Sequence, residues 1–134
     1  MLHDRRGQQA RRGENLLITD PRDLRGFIAE LRKRRFAFMT GVNTLYNALL
    51  HAPDFGSLDF SSLRVSMGGG MAVQREVAAR WQAATGVPIA QGYGLTEASP
   101  IVCGNPLDRR EFDGSVGLPF PSTEGAIFDE SGAE

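Results

Sequence analysis

LRVSMGGGMAVQREVAARWQAATGVPIAQGYGLTE, residues 63–97, is the stretch on which the fold turns. Leu63-Arg64-Val65-Ser66-Met67 is a short, partly β-branched run of strand type, and it breaks at Gly68-Gly69-Gly70. Val73, Val77 and Trp81 then recur four residues apart, which puts them on one stripe of a helix over 73–84. Thr85-Gly86 stops that helix, because glycine enters the left-handed region without a Cβ penalty. Val87-Pro88-Ile89-Ala90 is the next short strand, and it delivers Gln91-Gly92-Tyr93-Gly94-Leu95-Thr96-Glu97 as a loop at its end. Strand, helix, strand in this spacing is a crossover unit, and two strands joined in that way lie parallel.

The same alternation continues upstream. Phe36-Ala37-Phe38-Met39-Thr40 is a strand candidate ended by Gly41. Asn43 is placed to cap a helix reaching His51, with Leu45, Ala48 and Leu49 inward and Pro53 as its stop. Residues 54–62 connect it to Leu63. Further upstream, Asn15-Leu16-Leu17-Ile18-Thr19 is a short strand. Asp20-Pro21-Arg22-Asp23 starts a helix, with Asp20 as cap and Pro21 at the first position. Leu24, Phe27, Ile28 and Leu31 form its stripe, and Arg32-Lys33-Arg34-Arg35 fall in its last turn, where cations suit the dipole. Downstream the pattern turns to strands, at 115–118 and 123–128, before a hairpin turn at 129–134. The expected fold is α/β, a mainly parallel sheet with crossover helices covering its faces and a β-rich C-terminal end. Residues 1–14 are expected to be a disordered basic lead-in and 15–134 a single domain.

Composition narrows the function classes. The chain has 134 residues, 41% hydrophobic and 23% charged, with a net charge of −1. That balance suits a packed domain, and it gives no bulk attraction to nucleic acid. The basic run at 32–35 has no interleaved aromatics, so a solvated helix end explains it better than nucleic-acid contact. Cys103 is the sole cysteine, which excludes an intrachain disulfide and makes the cytoplasm the simplest address. No apolar run approaches the roughly 18–20 residues of a membrane span. His3 and His51 have no metal-ligand partner at useful spacing. Ser99 lacks the Gly-x-Ser-x-Gly elbow of a hydrolase. Cys103 fits a small buried apolar position.

Ligands of open α/β sheets bind beyond the carboxyl ends of the strands, and two segments end there. Gly68, Gly69 and Gly70 carry no β-carbon, so a planar base or an acyl group can approach the backbone closely. Tyr93 offers a ring on which adenine can stack, between Gly92 and Gly94. Thr96 offers a hydroxyl to a phosphoryl oxygen, and Glu97 a carboxylate suited to Mg²⁺. Turn geometry and the opening of a helix account for the same residues without any ligand.

QGYGLTE, preceded by strand, triple glycine and a helix holding Trp81, resembles the adenylate-forming superfamily. The resemblance is closer to one branch, the bacterial long-chain fatty acid–CoA ligases. It runs from about Gly13 to Glu134 through ENLLITDPRDL, FMTGVNTLYNALL, LDFSSLRVSMGGGMAV, QGYGLTEASPIVCGNPLD and GSVGLPFPSTEGAIFD. It implies a partial large N-terminal adenylation domain and two half-reactions: fatty acid and ATP give acyl-adenylate and diphosphate, and coenzyme A then takes the acyl group and releases AMP. Carried onto this chain, Tyr93 stacks on adenine, Gly94 packs near the acyl phosphate and Gly92 lets the backbone approach. Thr96 binds the α-phosphate and Glu97 holds Mg²⁺, so Thr96 and Glu97 are the catalytic pair. Gly68 to Gly70 border adenine and the acyl carboxylate, and Gly41-Val42-Asn43-Thr44 line the acyl tunnel. Fatty acid, ATP and coenzyme A are the implied partners, with no nucleic acid. A long-chain substrate adds peripheral contact with the inner face of the membrane.

The resemblance also implies parts that these residues do not contain. A phosphate-gripping loop rich in Ser, Thr and Gly belongs before residue 13, and MLHDRRGQQARR does not match it. A ribose-binding Asp, a hinge and a small domain with a catalytic lysine follow Glu134 in the family's order. The expectation is that the 134-residue chain is inactive alone, since each missing donor costs about 2.7–4 kcal/mol of transition-state stabilisation in other enzymes. Another acyl- or aryl-CoA ligase of the superfamily, a non-catalytic adenine-nucleotide binder and an inert gene fragment fit the same residues.

Overall fold

The computed structural model describes residues 20 and 22–133. The lead-in over 1–14, the strand over 15–19 and Pro21 lie outside them. Among the described residues the order is α1 (Leu24–Arg32), β1 (Phe38–Gly41), α2 (Asn43–His51), β2 (Val65–Gly68), α3 (Arg75–Thr85), β3 (Ile89–Gly94), β4 (Ile101–Gly104) and β5 (Leu118–Pro119). The sheet runs β1-β2-β3-β4-β5. β1 to β3 are parallel and joined by crossover helices, and β3 to β5 are antiparallel. The fold is α/β with a mixed sheet, its antiparallel part forming the β-rich C-terminal end.

One hydrophobic cluster holds the parallel half together. Phe27, Ile28 and Leu31 of α1, Tyr46 and Leu49 of α2, and Val77, Ala78 and Trp81 of α3 meet Met39 and Ile89 of the sheet. Trp81 is wholly buried, and its indole N–H donates to Ser66 Oγ at 2.9 Å. A buried indole without such an acceptor would cost about 1–3 kcal/mol. The Tyr46 ring packs edge-on against Trp81 at 4.7 Å between centroids, and Phe55 and Phe60 close the cluster around the same indole. Gly86 sits at φ 74° and ends α3, its N–H bonding Gln82 O at 2.8 Å.

The three helices all pack into this cluster, so they cover one face of the sheet rather than both. Val65, Met67 and Ala90, of the opposite parity, are half-buried outside the cluster, and Phe38 is 52% exposed. Other expectations shift by a few residues. The cap of α1 is Asp23, whose Oδ1 accepts from Gly26 N at 3.0 Å; Asp20 accepts from Arg22 N in the preceding turn. Only Arg32 of the basic run lies within α1. Asn43 is the first residue of α2, not its cap, which is Val42. That phase turns Tyr46 inward and leaves Leu45 and Ala48 half-buried. The Tyr46 hydroxyl can afford its burial because Met39 O and Met67 O stand 3.2 and 2.9 Å away. Burial pushes the Tyr46 phenol well above its usual range. At the C-terminal end Leu118 and Pro119 form the short strand β5, and Phe120 N donates to Val102 O at 3.0 Å; residues 123–128 form no strand, and Ile127 is 89% exposed. Without a partner among the described residues, their β-propensity has no ladder to join.

Candidate functional site

Parallel pairing brings the carboxyl ends of β1, β2 and β3 to one edge, because Gly41 faces Gly68 and Gly68 faces Gln91. Three of the predicted segments meet there. Gly69 N donates to Gly41 O at 3.2 Å, which binds the triple-glycine turn to the end of β1. A β-carbon built on Gly70, which sits at φ 76°, would lie 3.5 Å from Val42 Cγ1. One built on Gly69 would lie 3.8 Å from Gly92 O. Gly41 and Val42, the three glycines, and Gly92 with Tyr93 are therefore side by side. Asn43 is buried and its Oδ1 accepts from Gln74 N at 2.9 Å, while Thr44 is exposed.

Tyr93 lies in β3 rather than in a loop. Residues 91–94 continue the strand and pair antiparallel with β4, Gly92 opposite Gly104 and Tyr93 opposite Cys103, before an irregularity at Gly94. The pattern hid β4 because Ile101-Val102-Cys103 is only three apolar residues long. Gly94 is needed sterically, since a β-carbon there would collide with Pro100 O. Tyr93 is 52% exposed, and Thr96 with Glu97 falls in an exposed 3₁₀ turn, Thr96–Ala98, directly after it. Cys103 is buried and free. Among the described residues no cluster of three or more His, Cys, Asp or Glu stands ready for a metal. A groove of about 680 Å³ lies elsewhere, between α1 and the end of α2, lined by Leu24, Ile28, Ala48 and Pro53. Tyr93, Thr96 and Glu97 stand exposed at the candidate site.

The AMP-binding enzyme model matches residues 10–134. The chain belongs to that family. It is 53% identical over 120 residues to the long-chain-fatty-acid–CoA ligase of Yersinia pestis, covering 90% of this chain and 21% of that protein. The corresponding ligase of Salmonella typhimurium is 55% identical over 122 residues, 91% of this chain and 22% of that one. Among solved structures, the anthranilate CoA ligase AuaEII in complex with anthranoyl-AMP superposes with a TM-score of 0.79 at 28% identity, over 88% of this chain and 23% of that one. A benzoate CoA ligase from Burkholderia xenovorans gives 0.70 at 30% identity, over 81% and 22%. The chain spans about a fifth of the length of these relatives. No helix among the described residues is long and apolar enough to cross a membrane.

Two residues that the sequence reading passed over brace this edge of the family fold. Gln91 is 3% exposed and Asn105 7%. Their backbones pair through Asn105 N to Gln91 O at 2.8 Å, and Gln91 N donates to Asn105 Oδ1 at 2.7 Å. The sequence does contain a signal. Gln91 shares strand parity with Ile89, so a polar amide falls on the face that packs against the core.

Proposed function

We propose that this chain is the part of a long-chain fatty acid–CoA ligase that presents the adenine and the α-phosphate to the acyl carboxylate. The observation that supports it most directly is the convergence of residues 41–42, 68–70 and 92–93 at one sheet edge, in a chain about half identical to such ligases over nine-tenths of its length. Fatty acid, ATP and coenzyme A are the proposed substrates.

The chemistry follows from residue types. The acyl carboxylate attacks the α-phosphorus, a P–O bond to diphosphate breaks, and negative charge accumulates on the α-phosphoryl oxygens. The half-exposed Tyr93 ring offers a stacking face for adenine. The glycine backbones allow base and carboxylate to lie flat against the sheet edge. The Thr96 hydroxyl donates to an α-phosphoryl oxygen. Glu97, an exposed carboxylate next to Thr96, is a hard oxygen donor that would hold a Mg²⁺. Bound there, such an ion neutralises charge on the phosphoryl oxygens. Residues 41–44 flank the acyl group. In the second step the thiolate of coenzyme A attacks the acyl carbonyl and AMP leaves.

Because Tyr93, Thr96 and Glu97 all face water here, their electrostatic interactions act at high dielectric and are weak. The 134-residue chain alone is therefore proposed to bind nucleotide feebly and to turn over nothing. A cytoplasmic setting, with peripheral contact at the inner membrane face for delivery of fatty acid, belongs to the same reading.

The test is a graft. Residues 10–134 replace the matching segment of the Yersinia pestis ligase, and ATP–diphosphate exchange and acyl-CoA formation are measured with a long-chain fatty acid. The graft is expected to be active, and Thr96→Val or Glu97→Gln within it to lose about 10²–10³-fold in rate. Full activity in both variants would overturn the assignment. The isolated chain is expected to release no AMP; acyl-CoA formation near the rate of a complete ligase would overturn the claim of inactivity.

A further inference from the structure

Resting on the reading above, we infer that Gln91 is a positioning residue, which sets the triple-glycine turn and the Tyr93 segment at a fixed separation. Its side-chain amide faces two ways. Oε1 accepts from Val73 N at 2.8 Å, at the exit of the turn, and Nε2 donates to Ser115 O at 3.1 Å. One partner is a donor and the other an acceptor, so only one orientation of the amide satisfies both.

Asn105 extends the brace. Its Oδ1 accepts from Gln91 N, and its Nδ2 donates to Ser115 O at 3.1 Å and to Ser115 Oγ at 3.3 Å. Ser115 is held in turn by Asp113, whose Oδ1 accepts from Ser115 N at 2.9 Å, and by Arg109, which donates to its hydroxyl. The Ser115 backbone N–H and hydroxyl keep the Asp113 carboxyl below its ordinary range. On the other side, Gln74, next to Val73, donates to Asn43 in the segment flanking the acyl group. Gln91 thus sits where bonds from the glycine turn, from β3 and from residues 105–115 converge. No buried side-chain N or O among the described residues is left without a partner.

An apolar side chain at 91 would strand the buried Val73 N–H and remove the side-chain tie between the exit of the turn and β3, leaving only the backbone pairing of Gly68 with Gln91. Three glycines in a row have no side chains of their own to hold their place, so the bond at Val73 matters more here than in an ordinary strand-to-helix turn. Small displacements of site groups are costly to ligand geometry.

The experiment titrates the 134-residue chain with AMP to millimolar concentration and follows the amide resonances of Gly69, Gly70 and Tyr93. The Trp81 indole N–H, bonded to Ser66 in the core, reports independently on folding. In the parent chain all three amides are expected to move with one midpoint. In Gln91→Met the Trp81 signal stays and AMP affinity falls about tenfold, with the two glycines no longer moving together with Tyr93. Unchanged affinity with an intact Trp81 signal would overturn the inference. If Gln91→Met loses the Trp81 signal, Gln91→Glu decides: it keeps the acceptor for Val73 but repels Ser115 O, and about threefold weakening is expected. Parental affinity in that variant overturns the inference. A parent chain whose resonances ignore AMP overturns the nucleotide reading itself, and the inference with it.

Discussion

The parallel and antiparallel halves of this sheet are stabilised by different forces. In the parallel half, helices lay Tyr46, Leu49, Val77 and Trp81 on Met39 and Ile89, and apolar burial does most of the work. In the antiparallel half, Ile101 is 47% exposed and Leu118 68%, and the buried residues are Cys103 and Asn105. Position there is set by hydrogen bonds through Gln91, Asn105 and Ser115. The candidate site lies along the line where the halves meet. The parallel half supplies the glycine turn and residues 41–44, and Tyr93 pairs antiparallel with β4. An apolar core sets where strands end. A polar brace sets how their ends face one another.

The largest loss of stability is expected from Trp81→Ala. It empties the centre of the parallel half and strands the Ser66 hydroxyl, and it is expected to cost about 3–5 kcal/mol in denaturant unfolding. A loss below about 1 kcal/mol would mean that the cluster is not the main source of stability. Tyr93→Ala tests the other side of the contrast. Its ring is half-exposed, so unfolding should change by no more than about 0.5 kcal/mol. AMP binding should nevertheless weaken by about 1–3 kcal/mol through lost stacking. Equal losses in both measurements would make Tyr93 a structural residue.

Tyr46→Phe isolates one polar tie within the apolar half, the hydroxyl shared by Met39 O and Met67 O, and is expected to cost about 0.5–1.5 kcal/mol. It carries a pH signature. Burial raises the folded-state pKa of Tyr46 above the ordinary 10.0, so its contribution is complete below about pH 10. Above that pH the unfolded chain ionises while the folded one keeps its proton, and stability falls. The parent chain should therefore lose stability above about pH 10 more steeply than Tyr46→Phe; parallel curves would remove Tyr46 as the cause. Ile127→Ser should have the smallest effect. At 89% exposure it is expected to shift unfolding by less than about 0.5 kcal/mol. A larger loss would show that the C-terminal end packs on something.

Local pattern alone was enough for the α/β class, the stripe at Phe27, Ile28 and Leu31, the inward pair Val77 and Trp81, and the glycine stop at Gly86. Each of these rests on local periodicity or on the backbone freedom of one residue, which a linear pattern carries in full. Val73, expected on the same helix, is buried but precedes α3, which begins at Arg75. Local pattern also pointed to the glycine turn and to Tyr93, Thr96 and Glu97, because these residue types stand at strand ends. Three-dimensional packing was needed to put Tyr93 in a strand paired with β4, to make Asp23 rather than Asp20 the cap of α1, and to turn Tyr46 toward the core. It alone brought Gln91, Asn105 and Ser115 together across 24 residues of chain. Those outcomes depend on which distant group supplies a hydrogen-bond partner or closes an apolar contact, and a buried amide looks the same in a sequence whether or not its partner exists.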